Sequence, residues 1–434
     1  MTGHNPAATE EFRAARDLLL SLRTDHDAAV ARFTWPRPTY FNWALDWFDQ
    51  IARGNDRVAV KIIGPDRRSE SVTYAQLSER SARVANWLRR LGVRPGERLL
   101  LMLDNQVAVW EALLAAMKVG AVVTPTYTTV SQADLHDRLT RGEVAHIITA
   151  DHLTGAFAAA PAHLTRIAVG SDTAGWTPYR EAYTESPNFR PDRLTHADDP
   201  LFVYFTSGTT SRPKMVSHTH SSYPIGHLTG MYWNGLVPGD VHVNISAPGW
   251  AKHAWSSFFG PFNAEASVLS VNLPASGDPT LLLDILREEH ATSLCAPPTA
   301  WRTLLRHDLA ERRRGCLGLR ELAWGWDAIC ADAAMECATS IVSTGGRIGA
   351  MSKPTSIKTS EEVRDRLRIL AEERGTTITE LLEDLATREL TAAEREQRAV
   401  EAARELGIEY TEQVQQTGQD AWAKIRAHQG GAAA

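Results

Sequence analysis

The stretch Tyr204-Phe205-Thr206-Ser207-Gly208-Thr209-Thr210-Ser211-Arg212-Pro213-Lys214-Met215-Val216 decides how the chain is read. The apolar run Leu201 to Phe205 predicts a buried strand, and it opens directly into a loop of small hydroxyl residues and glycine that ends in a lysine. Such a loop is built to hold phosphate. Thr206, Ser207, Thr209 and Thr210 offer hydroxyl donors, and Gly208 removes the side chain that would keep backbone N–H groups away from a polyphosphate. Lys214 adds a mobile positive charge for the same oxygens. The competing reading is a polar strand-to-strand turn with an exposed lysine.

The run resembles the nucleotide-binding signature of the adenylate-forming acyl-CoA synthetases, Thr-Ser-Gly-Thr-Thr-Gly-x-Pro-Lys. Ser211 stands where that family has glycine, which stiffens the loop. The resemblance implies an α/β fold, with Thr206, Ser207, Gly208, Thr209, Thr210 and Lys214 on the phosphates of ATP. It also implies Mg2+, CoA and a carboxylic acid as the other reactants.

The 434 residues suffice for two or three domains, and 43% apolar with 23% charged residues is an ordinary globular composition. A net charge of −6 gives no general attraction to nucleic acid. No apolar run approaches the ~20 residues of a membrane span, and Met1 to Arg16 lack a basic-then-apolar leader pattern, so a cytoplasmic place is expected. Cys295, Cys316, Cys330 and Cys337 are too few and too unevenly spaced for a disulfide framework or a zinc site.

Before the signature, apolar spacing predicts helices over Glu10 to Ser21 and Phe41 to Arg53. Strand candidates at Val58 to Ile63, Arg98 to Leu103, Ala121 to Thr124 and Ala145 to Thr149 alternate with helices ending at Gly92, at Gly120 and near Thr140. Short connections between alternating elements argue an α/β domain with a largely parallel sheet. The order over Phe41 to Thr149 also resembles the N-terminal region of the synthetases. Asp151 to Pro200, rich in Ala, Pro and Asp with weak periodicity, reads as a surface excursion.

After the signature, His218 and His220 lie two apart on one side of a strand, but no third ligand is in place, and a metal site is not expected. Ala247-Pro248-Gly249-Trp250-Ala251-Lys252-His253-Ala254-Trp255 reads as a loop and an aromatic-rich helix, with core packing as the plain alternative. By resemblance it matches the acyl-pocket segment of medium-chain and aryl acyl-CoA synthetases, which would turn Trp250 and His253 toward the acid. Asn263 to Asn272 and Asp278 to His290 resemble the family's next sheet segment and helix. In Leu294-Cys295-Ala296-Pro297-Pro298-Thr299-Ala300-Trp301, Thr299 is either a polar contact to the acid, as in the family, or part of a turn fixed by two prolines.

Beyond Leu322 the family pattern stops. Ala323 to Ala328 replaces the Gly-Glu loop that holds adenine, and the aromatic-Gly-x-Thr-Glu run is absent. In Ser343-Thr344-Gly345-Gly346-Arg347, Gly346 stands where a carboxylate should take the ribose hydroxyls, and Lys424-Ile425-Arg426 only faintly echoes the lid lysine. Removing one preorganised donor typically costs about 100- to 1000-fold in rate, so several losses together predict little or no ligase activity and no assigned catalytic residue. An unpaired sheet edge and an incomplete core are expected there as well.

The sequence therefore divides into a partial synthetase domain, 1–322, an unrelated linker, 323–350, a small module, 351–391, and a helical or disordered tail, 392–434. The join reads as a frameshift or gene-fusion product. In the module, Thr355 to Thr359 is a short extended piece, Ser360 caps a helix over Glu361 to Arg374, Gly375 ends it, and Thr377-Ile378-Thr379-Glu380 is a capping box for a second helix. This pattern resembles the ribbon-helix-helix antitoxins, and a plain helical hairpin for dimerisation stays open beside it. The resemblance implies a homodimer that repressess its own operon, with Ser356 and Lys358 reading operator bases, Thr377 on a phosphate, and the tail binding a toxin protein. Charge runs against DNA: Met351 to Ala434 carry twelve Lys and Arg against sixteen Asp and Glu.

Overall fold

A computed structural model describes residues 3–206, 213–272, 281–297, 300, 319–324, 347–350, 366, 369 and 370. The chain divides into two compact units, Met1–Thr355 and Ser356–Ala434. In the second unit the described residues, Arg366, Ile369 and Leu370, are helical. The expected roles of Ser356, Lys358 and Thr377 lie outside the described residues, as do those of Ser207, Gly208, Thr209, Thr210 and Thr299.

Helices of the first unit are α1 (Pro6–Ser21), α2 (His26–Arg32), α3 (Asp49–Ala52), α4 (Tyr74–Arg90), α5 (Val107–Val119), α6 (Gln132–Arg141), α7 (Leu228–Trp233), α8 (Ala251–Ala254), α9 (Gly260–Asn263) and α10 (Leu281–Glu288). Its strands up to the signature are β1 (Val58–Ile63), β2 (Ser69–Thr73), β3 (Arg98–Met102), β4 (Val122–Pro125), β5 (Val144–Ala150), β6 (Thr165–Val169), β7 (Thr177–Pro178) and β8 (Pro200–Thr206). After it come β9 (Lys214–Thr219), β10 (Val241–Asn244), β11 (Ser267–Val271), β12 (Ser293–Ala296), β13 (Glu321–Trp324) and β14 (Arg347–Ala350).

The strands form two sheets, ordered β7-β6-β5-β3-β4-β8-β9 and β14-β13-β12-β10-β11-β1-β2. Both are parallel except at one end, where the hairpins β8–β9 and β1–β2 pair antiparallel. Strand β3 shows why: Leu99, Leu101 and Leu103 face one cluster of buried side chains while Leu100 and Met102 face another. A strand buried on both faces reads as a continuous apolar run, as Leu99 to Leu103 does.

Helix α5 is buried along its whole length, which fits an all-round apolar sequence better than a one-sided stripe. Its Gly120 adopts φ +85°, the left-handed turn that releases the chain into β4. Two charges are buried with it. Lys118 Nζ reaches Asp49 Oδ1 at 2.8 Å and donates to the Ser78 carbonyl at 3.1 Å, while Glu111 accepts from the Tyr183 hydroxyl at 2.8 Å. Breaking such a buried pair from one side typically costs about 3–5 kcal/mol. Trp110 of α5 shares one buried cluster with Trp43, Trp47 and Trp87, all fully buried, and the α4 capping box of Thr73 and Gln76 sets the start of the neighbouring helix.

Three expectations are corrected. Residues 151–200 are not only a surface excursion, because β6 pairs with β5 over five residues and places Ile167 and Ala168 in the interior. The short strand was masked by its flanking Pro, Asp and Ala. The second sheet also continues past Leu322, where β13 pairs with β12 and β14 with β13, all parallel, so β12 is not left as an unpaired edge. The predicted helix over Phe41 to Arg53 is a π-helical turn, Ala44–Phe48, running into α3.

Burial depresses several imidazoles among the described residues of this unit. Burial lowers the pKa of His220 and His242 to about 4 and of His227 and His253 to about 3. Their protons therefore bind the unfolded chain from about pH 6.5 downward, where the folded state still refuses them, and stability falls with pH. Asp46, held up near 6 by burial, and Glu111, also raised by burial, act in the opposite sense. The imidazoles, with His4 and His218 lowered as well, outweigh the two carboxyls. Urea unfolding at pH 7 and pH 5 should show stability lower by about 2 kcal/mol or more at the acid end; an unchanged or higher midpoint would contradict the burial of these rings.

Candidate functional site

In a parallel sheet the chain enters and leaves so that loops collect beyond the carboxyl ends of the strands, and a crevice opens where successive connections leave in opposite directions. From β4 the chain returns through α6 to β5, on the far side of β3, whereas β3 reaches β4 through α5. The crevice therefore lies past Met102 and Pro125, and β8, parallel to β4, delivers the signature to the same edge.

Thr206 and Lys214 face each other as the last pair of the antiparallel hairpin β8–β9, so the structure brings the two ends of the phosphate-type loop together. Both are exposed. The loop joins one strand to the next, as in the plain reading, and the strand it leaves is buried through Tyr204 as predicted.

Beside the hairpin is a narrow apolar cleft. Its lining includes Leu101 and Pro125 from the sheet, Phe202 and Tyr204 from β8, and Trp250 and His253 from the segment that opens α8. The structure thus joins two sequence-predicted pocket residues to the signature strand. Trp250 is 53% exposed and its ring lies parallel to that of Tyr127, 4.8 Å away at 10°. His253 is buried against Trp110, with Nε2 3.2 Å from the Asn105 side-chain oxygen. Held at a pKa of about 3 by burial, the ring is neutral near pH 7. It can exchange a hydrogen bond with an acid but supplies no cation.

Glycine at 249 makes this approach possible. Its φ is +94°, and a Cβ there would lie 2.2 Å from the Tyr127 nitrogen and 2.3 Å from the Thr126 carbonyl carbon. The loop after β10 of one sheet therefore touches the loop after β4 of the other, backbone to backbone.

Residues 47–368 match the family of AMP-binding enzymes. The chain belongs to that family. It is 34% identical over 279 residues to 4-hydroxybutyrate–CoA ligase 1 of Metallosphaera sedula, covering 63% of this chain and 49% of that protein. With the human mitochondrial acyl-coenzyme A synthetase ACSM3 it shares 32% identity over 288 residues, again 63% of this chain and 49% of the relative. The chain spans about half the length of these curated relatives. Among solved structures, the acyl-CoA synthetase of Brucella canis superposes with a TM-score of 0.65 at 22% identity, over 74% of this chain and 60% of that one. The anthranilate CoA ligase AuaEII in complex with anthranoyl-AMP gives 0.61 at 19% identity, over 73% and 61% of the two chains. These structural likenesses speak for the fold.

In this member of the family the sequence reading missed Tyr127, Arg138 and Asn105 as neighbours of the cleft, since Tyr127 and Asn105 lie in connections and Arg138 on a polar helix, where spacing carries no signal. Gly249 was inside the quoted segment, and its position before a helix was the one available hint. Among the described residues no group of three or more His, Cys, Asp or Glu could hold a metal, His218 and His220 included. No described helix is long and apolar enough to cross a membrane, and Cys295 is free and buried. Replacing Gly249→Ala should strain both the backbone and the contact with Thr126, at a cost of about 2 kcal/mol or more. Thermal unfolding would show it as a lowered Tm, and near-ultraviolet circular dichroism as loss of the Trp250–Tyr127 signal; an unshifted Tm would refute the close approach.

Proposed function

We propose that this AMP-binding enzyme holds ATP by its triphosphate on the hairpin loop, with Thr206, Ser207, Gly208, Thr209, Thr210 and Lys214 as the cradle, and a carboxylic acid in the adjoining cleft. Trp250 and His253 line the acid's place, and Thr299 is the further polar contact. The observation that carries this reading is the cleft formed by Tyr204, Trp250 and His253 at the end of the strand that opens into the loop. The reaction of such a site is activation of the acid as an acyl adenylate with release of pyrophosphate, followed by thioester formation with CoA. The apolar lining suits a medium-chain or aromatic acid, for which the cleft, open to about 20 Å³ in this structure, has to widen. Mg2+ fits as the counter-ion that the triphosphate brings, since no described side-chain cluster is arranged for a resident metal.

Turnover is proposed to be weak. Gly346 occupies the place of the carboxylate that takes the ribose, and no aromatic-Gly-x-Thr-Glu run follows Leu322. Calorimetry with ATP should give binding, and Lys214→Ala should weaken it about ten-fold or more through loss of a charge-assisted contact. Pyrophosphate exchange with octanoate or benzoate should stay near background. Absent ATP binding would overturn the nucleotide assignment, and robust exchange would overturn the impairment.

For residues 351–434 we infer from the sequence pattern a ribbon-helix-helix module with an antitoxin-like tail, acting as a homodimer on operator DNA. The match to the AMP-binding family runs to residue 368, inside that module, so the boundary at Met351 is part of the proposal. A gel shift with the DNA upstream of its own gene tests it: no retarded band with the full chain would remove the DNA-binding reading.

A further inference from the structure

Helix α6 stands directly behind the site and carries Arg138 and Arg141 three residues apart, on one face. Both guanidinium groups lie against the ring of Phe205, the residue that precedes the loop, at 5.2 and 5.4 Å from its centroid. Arg141 is fixed by two 2.6 Å hydrogen bonds to Asp137 and donates a third, of 2.8 Å, to the carbonyl of Pro213, the residue that follows the loop. The two arginines thus grip both ends of the phosphate hairpin. Arg138 has a second partner. Its guanidinium also lies 5.4 Å from the Tyr127 ring, and Tyr127 in turn stacks on Trp250 at the mouth of the acid cleft. One continuous ladder runs from Trp250 through Tyr127, Arg138 and Phe205 to Arg141 and the end of the loop.

We propose that Arg138 is a positioning residue that locks the wall of the acid cleft to the base of the phosphate loop, so that the two subsites keep one spacing. The inference rests on the proposed reading of the site as one for ATP and an acid. An adenylation requires the acid oxygen to meet the α-phosphorus, and a displacement of about 1 Å between reactants is enough to lose ~100-fold in rate. The hairpin β8–β9 lies at the edge of its sheet and Trp250 is exposed, so the contacts between them set the spacing of the two sides. Arginine suits the middle rung. Its flat guanidinium can lie on two rings at once, which the compact ammonium of lysine cannot do, and at 4% exposure the cation–π contacts are little weakened by water. A donated hydrogen bond of 3.0 Å to the Asp134 carbonyl holds the group in that plane.

Hydrogen exchange of the full chain without ligand is the deciding measurement. In Arg138→Ala, peptides covering residues 203–215 and 247–254 should both exchange about ten-fold faster, while those covering 58–73 keep their rates. Arg138→Lys should fall between, and Trp250→Ala, at an exposed position that the fold tolerates, should loosen 203–215 from the opposite end of the ladder. Faster exchange confined to α6 and β9, a rise throughout the chain, or no effect of Trp250→Ala on the hairpin would each overturn the proposal. ATP titration of the same proteins separates this from the site assignment: Arg138→Ala should bind ATP roughly three- to thirty-fold more weakly. A wild-type chain that binds no ATP would remove the site reading, while the exchange result would still decide the ladder.

Discussion

Two backbones can touch only where no side chain stands between them, and the site depends on one such contact. Gly249, at φ +94°, brings the loop after β10 against Thr126 and Tyr127, after β4. Without it the two sheets would present their carboxyl ends separately. With it, the second sheet supplies Trp250 and His253 to a cleft whose other wall is Phe202 and Tyr204 of the first. The contact costs little where it occurs, because glycine adopts this φ freely, and the Trp250–Tyr127 stack covers the junction.

Burial then sets the electrostatics of the site. His253 is neutral because it is enclosed beside Trp110, and the hydrogen bond to Asn105 orients the ring without charging it. Positive charge stands instead at the rim, on exposed Lys214, and behind the loop on the α6 arginines. An anion entering such a cleft meets its cations at the open side and apolar surface further in. That division suits a substrate with a charged head and an apolar body better than a polyanion lying full length in the cleft.

Much of this was legible in the sequence because period and composition agreed. Strand β1 begins and ends where Val58 to Ile63 predicts, and α5 follows the apolar run from Val107 up to its glycine stop. The signature strand is likewise where the apolar run Leu201 to Phe205 predicts it, and Lys214 opens the next strand. What stayed hidden depends on contacts between distant segments. The five residues of β6 carry no period of their own above the surrounding Pro and Asp, and pairing with β5 makes them a strand. Tyr127 and Arg138 sit in a connection and on a polar helix, residue types that usually face solvent, and only the fold shows that they meet.

Strands β13 and β14 carry the second sheet beyond Leu322. Both run parallel to β12, so their carboxyl ends, Trp324 and Ala350, lie on the edge of the second sheet where β10 leads to the cleft. These are the places from which a second substrate wall can be built. The ladder that holds β12 in place is satisfied by Leu294 and its buried neighbours, together with Leu319 ahead of β13, whatever residues the following loops contain. A sheet edge constrains its own alternation and packing, and a loop beyond it only has to close. Strands β13 and β14 therefore extend the second sheet within the stretch that matches the AMP-binding family, whatever motif residues the neighbouring connections carry.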